Sequence, residues 1–510
     1  MNYGIKLMGR FVALSLCLVL VVSGCKSSGS ATKSGSSSAA TKKPPAKKGD
    51  IKKFSEVITK DAKTDEGLFD VHKVDDKYYF EIPNEMLERE MLLVSRVAGS
   101  VQNLSFGGAG QKARGQQVVR WQRKDNNILL RHVSYSSVAN EDDPIYKSVQ
   151  NNNFEPVVYS FKIEANNEDT TGVVIDVTSL YTSDVALISG LSSFQRKNFQ
   201  VRRLDGSRSF VEKISSYPEN IEVRHVLTYD AANPPDNGST NTISLEMNQS
   251  MILLPAEPAQ PRNWDERVGY FSIGQYDYSS EEHKAATNRF ITRYQLVPKD
   301  KEAYLRGELV EPVDPIIYYL DPATPKKWRS YLIKGIEDWQ VAFEAAGFKN
   351  AIIGKEAPTP EEDPEFSPED VRYSVMRYIT NPIQNASGPH VHDPRTGQIL
   401  ESDIMWYHNI QNLLRNWYFI QTAASNPDAR NVKMSDEIMG DMLRFVMAHE
   451  VGHTLGLPHN MGSSPGYTVE QLRDPEFTST HGTAPSIMDY ARFNYIAQPG
   501  DGVTQYYPQI

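Results

Sequence analysis

The sequence predicts an α+β protein of more than one domain: an antiparallel β-rich first half, then a mixed α/β second half. Three observations carry this. At 510 residues the chain is too long for one ordinary domain. From 51 to 305 it gives short β-type runs between polar turns, with no long 3.6-residue periodicity. From 306 onward, apolar stripes at helical spacing alternate with strand-like runs. Hydrophobic residues make up 39% and charged residues 23%, enough to bury a core in water. A net charge of −10 argues against a general nucleic-acid partner. The only cysteines, Cys17 and Cys25, exclude a disulfide-stapled fold and a thiolate-ligated metal.

Residues 1–24 are an address. Lys6 and Arg10 precede the run Phe11 to Val22, apolar apart from Ser15, and Val22-Ser23-Gly24-Cys25 follows. This is a secretory signal, its apolar run too short to span a bilayer, which takes about 20 residues. Small residues before Cys25 resemble a bacterial lipobox. That resemblance implies cleavage before Cys25, acylation of it, and a lipid-anchored protein of the bacterial cell envelope, at the outer membrane or cell surface. Residues 25–50 are Ser, Gly, Ala, Lys and Pro with no large apolar side chain, a flexible tether. The first 50 residues hold 8 of the 54 basic residues and 1 of the 64 acidic ones. That leaves 46 against 63, a net −17 on the body.

In the β-rich half, strands are expected at Tyr78 to Ile82, Met91 to Val97, Val118 to Trp121, Ile128 to Val133 and Val157 to Ile163. Others are expected at Val173 to Val177, Ile221 to Tyr229, Ile243 to Met247 and Met251 to Leu254. Ile243, Leu245 and Met247 alternate with Ser244 and Glu246, as in a half-buried strand. One or two antiparallel sheet domains follow. The Gly-rich loop Phe106 to Gly110 lacks the Lys-Ser/Thr of a phosphate cradle and reads as a hairpin loop. His72, His132, His225 and His283 are scattered and carry no assigned role.

In the second half, residues 306–510, Pro315 to Leu320 is a buried-type strand. Thr324 before Pro325 reads as the N-cap of a helix whose stripe runs from Trp328 to Ala346, with Gly347 as C-cap. Strands are expected at Ala351 to Ile353, Val371 to Ile379 and Gln398 to Trp406, the last preceded by the turn Asp393 to Gly397. Tyr407 to Ala424 is a helix. The acidic loop Glu356 to Asp370 could hold calcium, which nothing else supports. His390 and His392 alternate on a strand and could hold a second metal, for which no third ligand is evident.

Ser435 starts a helix, with Asp436 and Glu437 in its first turn. Its apolar stripe runs into His449-Glu450-Val451-Gly452-His453-Thr454-Leu455-Gly456-Leu457-Pro458-His459. Histidines four apart leave one helix face a turn apart, as two ligands of one tetrahedral zinc must. Glu450 adjoins the first and can reach a water at the metal. Gly456 allows a backbone turn that other residues resist, bringing His459 round as third ligand. Three protein ligands leave a position open, the mark of a catalytic site.

The pattern HExxHxxGxxH resembles that of metzincin metalloproteases. Ser486-Ile487-Met488-Asp489-Tyr490, 29 residues beyond His459, is similar to their Met-turn. More broadly, residues 51–510 resemble bacterial envelope metalloproteases with a β-rich region before the metzincin domain. The resemblance implies one catalytic zinc on His449, His453 and His459, with Glu450 as general base and Met488 as apolar floor. It also implies a stabilising role for Tyr490 at the oxyanion, plain wall packing being the alternative. The expected function is zinc-dependent endopeptidase, acting on protein or peptide, with a strand of the 388–406 region pairing with substrate. A rival is a surface lipoprotein that binds protein or glycan through its β half and carries an inactive protease-like domain. Arg262 to Phe271 is a candidate cover, against an ordinary linker. Only 22 residues follow Met488, whereas the resembling family runs longer, so the catalytic domain is expected to be C-terminally incomplete. Oligomeric state is open.

Overall fold

The computed structural model describes residues 51–104, 109–236 and 238–508. The signal, Cys25, the tether and Phe106 to Gly108 lie outside the described residues. Among the described residues, no helix is long and apolar enough to cross a membrane. Residues 51–510 pack as one unit.

The first half forms β1 (Lys63–Asp65), β2 (Asp70–Val74), β3 (Lys77–Pro83), β4 (Glu90–Ser100), β5 (Gln117–Lys124), β6 (Asn127–Val133) and β7 (Ser137–Val138). Next come β8 (Val157–Asn166), β9 (Gly172–Asp176), β10 (Val201–Leu204), β11 (Phe210–Ser216), β12 (Asn220–Ala231) and β13 (Thr242–Leu253). All but β7 join one antiparallel sheet in the order β1-β2-β3-β9-β8-β6-β5-β4-β13-β12-β10, with β11 also on β12. A hairpin of β14 (Ser272–Asp277) and β15 (Ala286–Ile291) takes β7 as its third strand.

The burial pattern explains one departure from expectation. Ile243 to Met247 and Met251 to Leu254 are parts of the single strand β13. Its first half alternates as expected, but from Met247 to Ile252 every residue is buried. There the sheet is covered on both faces. Met91, Leu93 and Met251 pack into the core of the first half, while Leu92, Val94 and Ile252 pack against Val391 of the second. A strand buried on both faces loses the period-two signal. The short strands β10 and β11 lacked that signal too, since both carry exposed residues out of register.

The second half has a five-stranded sheet in the order β17-β16-β18-β22-β19. These are β16 (Ile316–Leu320), β17 (Ile352–Glu356), β18 (Ser374–Ile379), β19 (Ala386–Ser387) and β22 (Ile404–Tyr407). Only the edge strand β19 is antiparallel to its neighbour. The hairpin of β20 (Val391–His392) and β21 (Ile399–Glu401) continues from that edge. Helices Lys326–Glu337, Ile410–Thr422 and Asp436–Thr454 pack with the sheet in one core around Trp328, Leu332, Trp406, Leu414 and Met447.

Three local expectations are corrected. Thr324 caps nothing: it is buried, its Oγ1 has no hydrogen-bond partner, and Pro325 stands at the cap. The helix drawn from Trp328 to Ala346 is two, Lys326–Glu337 and Gln340–Ala345. The break lets Asp338 pair with Arg444 and the Trp339 indole donate to the Ala448 carbonyl at 2.7 Å, both on the facing helix. The strand drawn from Gln398 to Trp406 is interrupted at Ser402 and Asp403. There Asp403 leaves the ladder to accept from Arg377 at 2.6 Å. Gly347, by contrast, ends its helix at φ 91°, in the left-handed region where glycine is favoured.

Candidate metal centre

The helix Asp436–Thr454 begins as its sequence requires, the Ser435 hydroxyl accepting from Ile438 N–H. It then runs inward until every residue from Phe445 to Gly452 is buried. Glycines admit close neighbours on both sides: the Arg444 carbonyl lies against Gly335, and the Met488 sulfur and Trp339 ring lie against Gly452. The helix stops where Gly456 takes φ 101°. A Cβ there would strike the Thr292 carbonyl oxygen, so both backbone angle and space demand glycine. The chain turns back and delivers His459.

The three rings converge. His449 and His453 are 4.8 Å apart by ring centroids, His453 and His459 4.6 Å, and His449 and His459 5.2 Å. His449 Nδ1 donates to the Ile487 carbonyl and His453 Nδ1 to the Leu457 carbonyl, each at 2.7 Å. Both bonds set the tautomer that leaves Nε2 with its lone pair free for a metal. His449 Nε2 is buried without a partner. Burial pushes the His449 imidazole down to about 4 and lowers His453 and His459 too, so all three favour the neutral form that ligates.

The triad fits zinc. Bonds of about 2.0–2.1 Å at tetrahedral angles place ligand atoms roughly 3.3 Å apart. Here the closest pair of nitrogens is 3.1 Å apart and all three lie within 4.8 Å of one another. Among the described residues, no other three His, Cys, Asp or Glu side chains converge this way. The acidic loop brings no such group together among the described residues. Its Glu356, Glu369 and Asp370 pair instead with Arg329, Arg377 and Arg372. His390 and His392 lie 5.2 Å apart, and among the described residues no third His, Cys, Asp or Glu joins them.

Glu450 is buried, and desolvation pushes its carboxyl up to about 8 against the opposing Gly388 N–H. A dication bound beside it pulls the other way. Met488 is buried with its sulfur against Gly452, and its carbonyl accepts from Asn460 N–H at 2.8 Å, tying the turn to the residue after the third ligand. Asp489 secures that tie: burial opposes its charge, but the Ser463 and Ser464 hydroxyls at 2.6 and 2.7 Å hold its carboxyl below the usual range. Tyr490 is about half exposed, its ring 4.2 Å from His459 and 5.6 Å from His449.

Comparison with known protein families agrees with the geometry. The family described as Met-zincin matches residues 431–510, the stretch that carries the triad and the Met-turn. The match and the convergent histidines support a metzincin-like domain. Two domains of unknown function, DUF5118 and DUF5117, match residues 51–100 and 110–299. No curated protein and no solved structure matches the chain.

Sequence reasoning missed four residues of the metzincin-like site. Trp339 supports the helix from below, as described. Tyr318 donates to Thr454 Oγ1 at 2.7 Å, holding the helix end. Gly388 approaches the Glu450 backbone so closely that no side chain fits. Phe271 sends its N–H to the Gly456 carbonyl at 2.8 Å and lays its ring 6.1 Å from His453. Two carried a signal: Phe271, as the last residue of the candidate cover Arg262 to Phe271, and Gly388, as the first residue of the 388–406 region expected to pair with substrate. The remainder of that segment is mostly exposed, although Gly269 lies near Pro458.

Proposed function

We propose that this chain is a zinc-dependent peptidase. The observation that carries the reading is the convergence of His449, His453 and His459, with the buried Glu450 next to the first of them in the chain. Bound zinc would supply Lewis-acid polarisation of the scissile carbonyl and of the attacking water. The rest falls to the chain. His449, His453 and His459 hold the ion, their rings oriented by the Ile487 and Leu457 carbonyls. Glu450 accepts the proton of the attacking water and passes it to the leaving amine. Tyr490, beside His459, donates its phenol proton toward the developing oxyanion.

The test is a zinc assay paired with cleavage of a broad peptide library, with and without a chelator. Glu450→Gln should keep one zinc per chain and lose roughly 10²- to 10⁴-fold in kcat, the usual worth of a positioned base. Cleavage at the wild-type rate by that variant excludes the mechanism.

Separately, we propose from the small residues before Cys25 that the protein is held in the bacterial cell envelope by acyl chains on that cysteine. Cys25→Ala should shift the protein from the membrane to the soluble fraction; unchanged fractionation excludes the anchor.

A further inference from the structure

A peptide bound beside this site gains main-chain hydrogen bonds by adding to a free strand edge. The stretch 386–392 offers that edge. It starts at β19, the outermost strand of its sheet, and passes Glu450 at Gly388. Asp393 N–H donates to the Gln398 carbonyl at 2.8 Å, toward β21. Backbone groups alternate along a strand, so His390 and His392 turn theirs to the opposite, outer edge.

At both residues the outer edge is already taken. Lys112 Nζ donates to the His390 carbonyl at 2.7 Å. The Gln116 amide engages His392 twice, donating to its carbonyl and accepting its N–H, the two bonds a neighbouring strand would make. Both side chains come from the β-rich half, on a segment fastened to β4 by the Ala113 N–H bond to Ser95 at 2.8 Å. Phe271, also from that half, closes the side toward the metal, its ring 5.9 Å from His390 and 6.1 Å from His453. A cavity of about 230 Å³ remains between this segment and the border strand, lined by Gly110, Lys112, Ser387, Pro389, His390 and Met405. Lys112 itself forms part of its wall.

We infer that Lys112 and Gln116 close the border strand to peptide beyond Gly388, so that the enzyme cuts near one end of its substrate. With about 3.3 Å of strand per residue, roughly two or three residues fit on the closed side. The substrates are then chain ends and short peptides, not the interior of long chains. This rests on the peptidase reading.

The test maps cut positions by mass spectrometry, using the zinc-loaded full chain on long unstructured peptides. Wild type should cut close to one terminus. Gln116→Ala, and Lys112→Met with Gln116→Ala, should raise the ratio of internal to terminal cuts at least tenfold; the single variant serves if the double one does not fold. Wild-type cuts spread evenly along the peptides, or unchanged positions in the variants, overturn the closure. A parallel binding measurement uses Glu450→Gln as background. Adding Gln116→Ala should tighten a long peptide about tenfold and leave a dipeptide unchanged; equal affinities overturn the closure. Zinc-loaded protein that cleaves nothing, wild type and variants alike, defeats the peptidase reading instead, and the binding arm still decides whether the edge is closed.

Discussion

The floor and the roof of the site are built from different materials. The floor lies between Ser435 and Tyr490, and its bonds run from ring or backbone to nearby backbone: His449 to Ile487, His453 to Leu457, Asn460 to Met488. The roof is assembled from Lys112, Gln116, Phe271 and Gly388, which belong to both halves of the chain and meet only in the folded protein. Bonds anchored on backbone carbonyls leave little freedom, so the floor can hold three rings within metal-ligand distance. Long side chains reaching across halves are adjustable. The floor therefore sets the metal, and the roof sets what reaches it.

The largest expected effect breaks the floor alone. Gly456→Ala forces a left-handed backbone angle on alanine and drives its Cβ into the Thr292 carbonyl. Together these should cost at least about 3 kcal/mol and release the zinc. Thermal melting with a zinc assay checks this; a variant that melts with wild type and keeps its metal would show that the turn at Gly456 is not what seats His459.

The next breaks the joint between the halves. Arg96, on β4, pairs with Glu401 on β21; Glu401 is buried and Arg96 nearly so. Arg96→Met leaves Glu401 beside the buried Asp403 without its partner, at about 3–5 kcal/mol. The double change with Glu401→Leu should recover more than half of that loss. Denaturant titration of the cycle measures it, and strict additivity would mean that the pair does not couple the halves.

Acid should strike both regions through buried neutral histidines. Burial pushes His225 down to about 4, its Nδ1 donating to the Tyr181 carbonyl at 2.7 Å in the β-rich half. In the unfolded chain a histidine takes its proton near 6.5. Between those values the unfolded state binds more protons, so stability falls as pH drops from about 6.5 to 4, by roughly 3 kcal/mol for this one group. His225→Gln should flatten the stability profile by about one proton over that window. His392 and His449, also pushed down to about 4, keep contributing in the metal-free protein. An unchanged slope in the variant would place His225 in an ionised or solvated state.

The same division governs what is legible from sequence. The triad, Gly456, the Ser435 cap and Met488 can be read because helix pitch and turn chemistry act over a few residues. Most strands of the β-rich half can be read for the same reason. Trp339 and Gly388 cannot, because what matters about them is a neighbour supplied by another segment. Thr324 misleads in this way: Thr before Pro is a local cap signal, but the side chain is drawn into the interior. β13 loses its alternation where the second half covers its other face. Gln116 is an ordinary polar residue until the fold sets its amide against His392.

The smallest expected effect tests whether the floor depends on methionine itself or on the volume it fills. Met488 is buried, with its sulfur in contact with the backbone of Gly452 between the first two ligands. Leucine has nearly the same volume, and such exchanges in a packed core usually cost less than about 1.5 kcal/mol. Met488→Leu should therefore keep its zinc, lower the melting temperature by a few degrees, and change kcat by less than about threefold. Gly452→Ala adds one methyl to the same space from the helix side, where the Met488 sulfur and the Trp339 ring leave no room, and should do more damage than the whole exchange of methionine for leucine. If the order is reversed, and Met488→Leu sheds zinc while Gly452→Ala retains it, the sulfur matters for its polarisability and not for its fit.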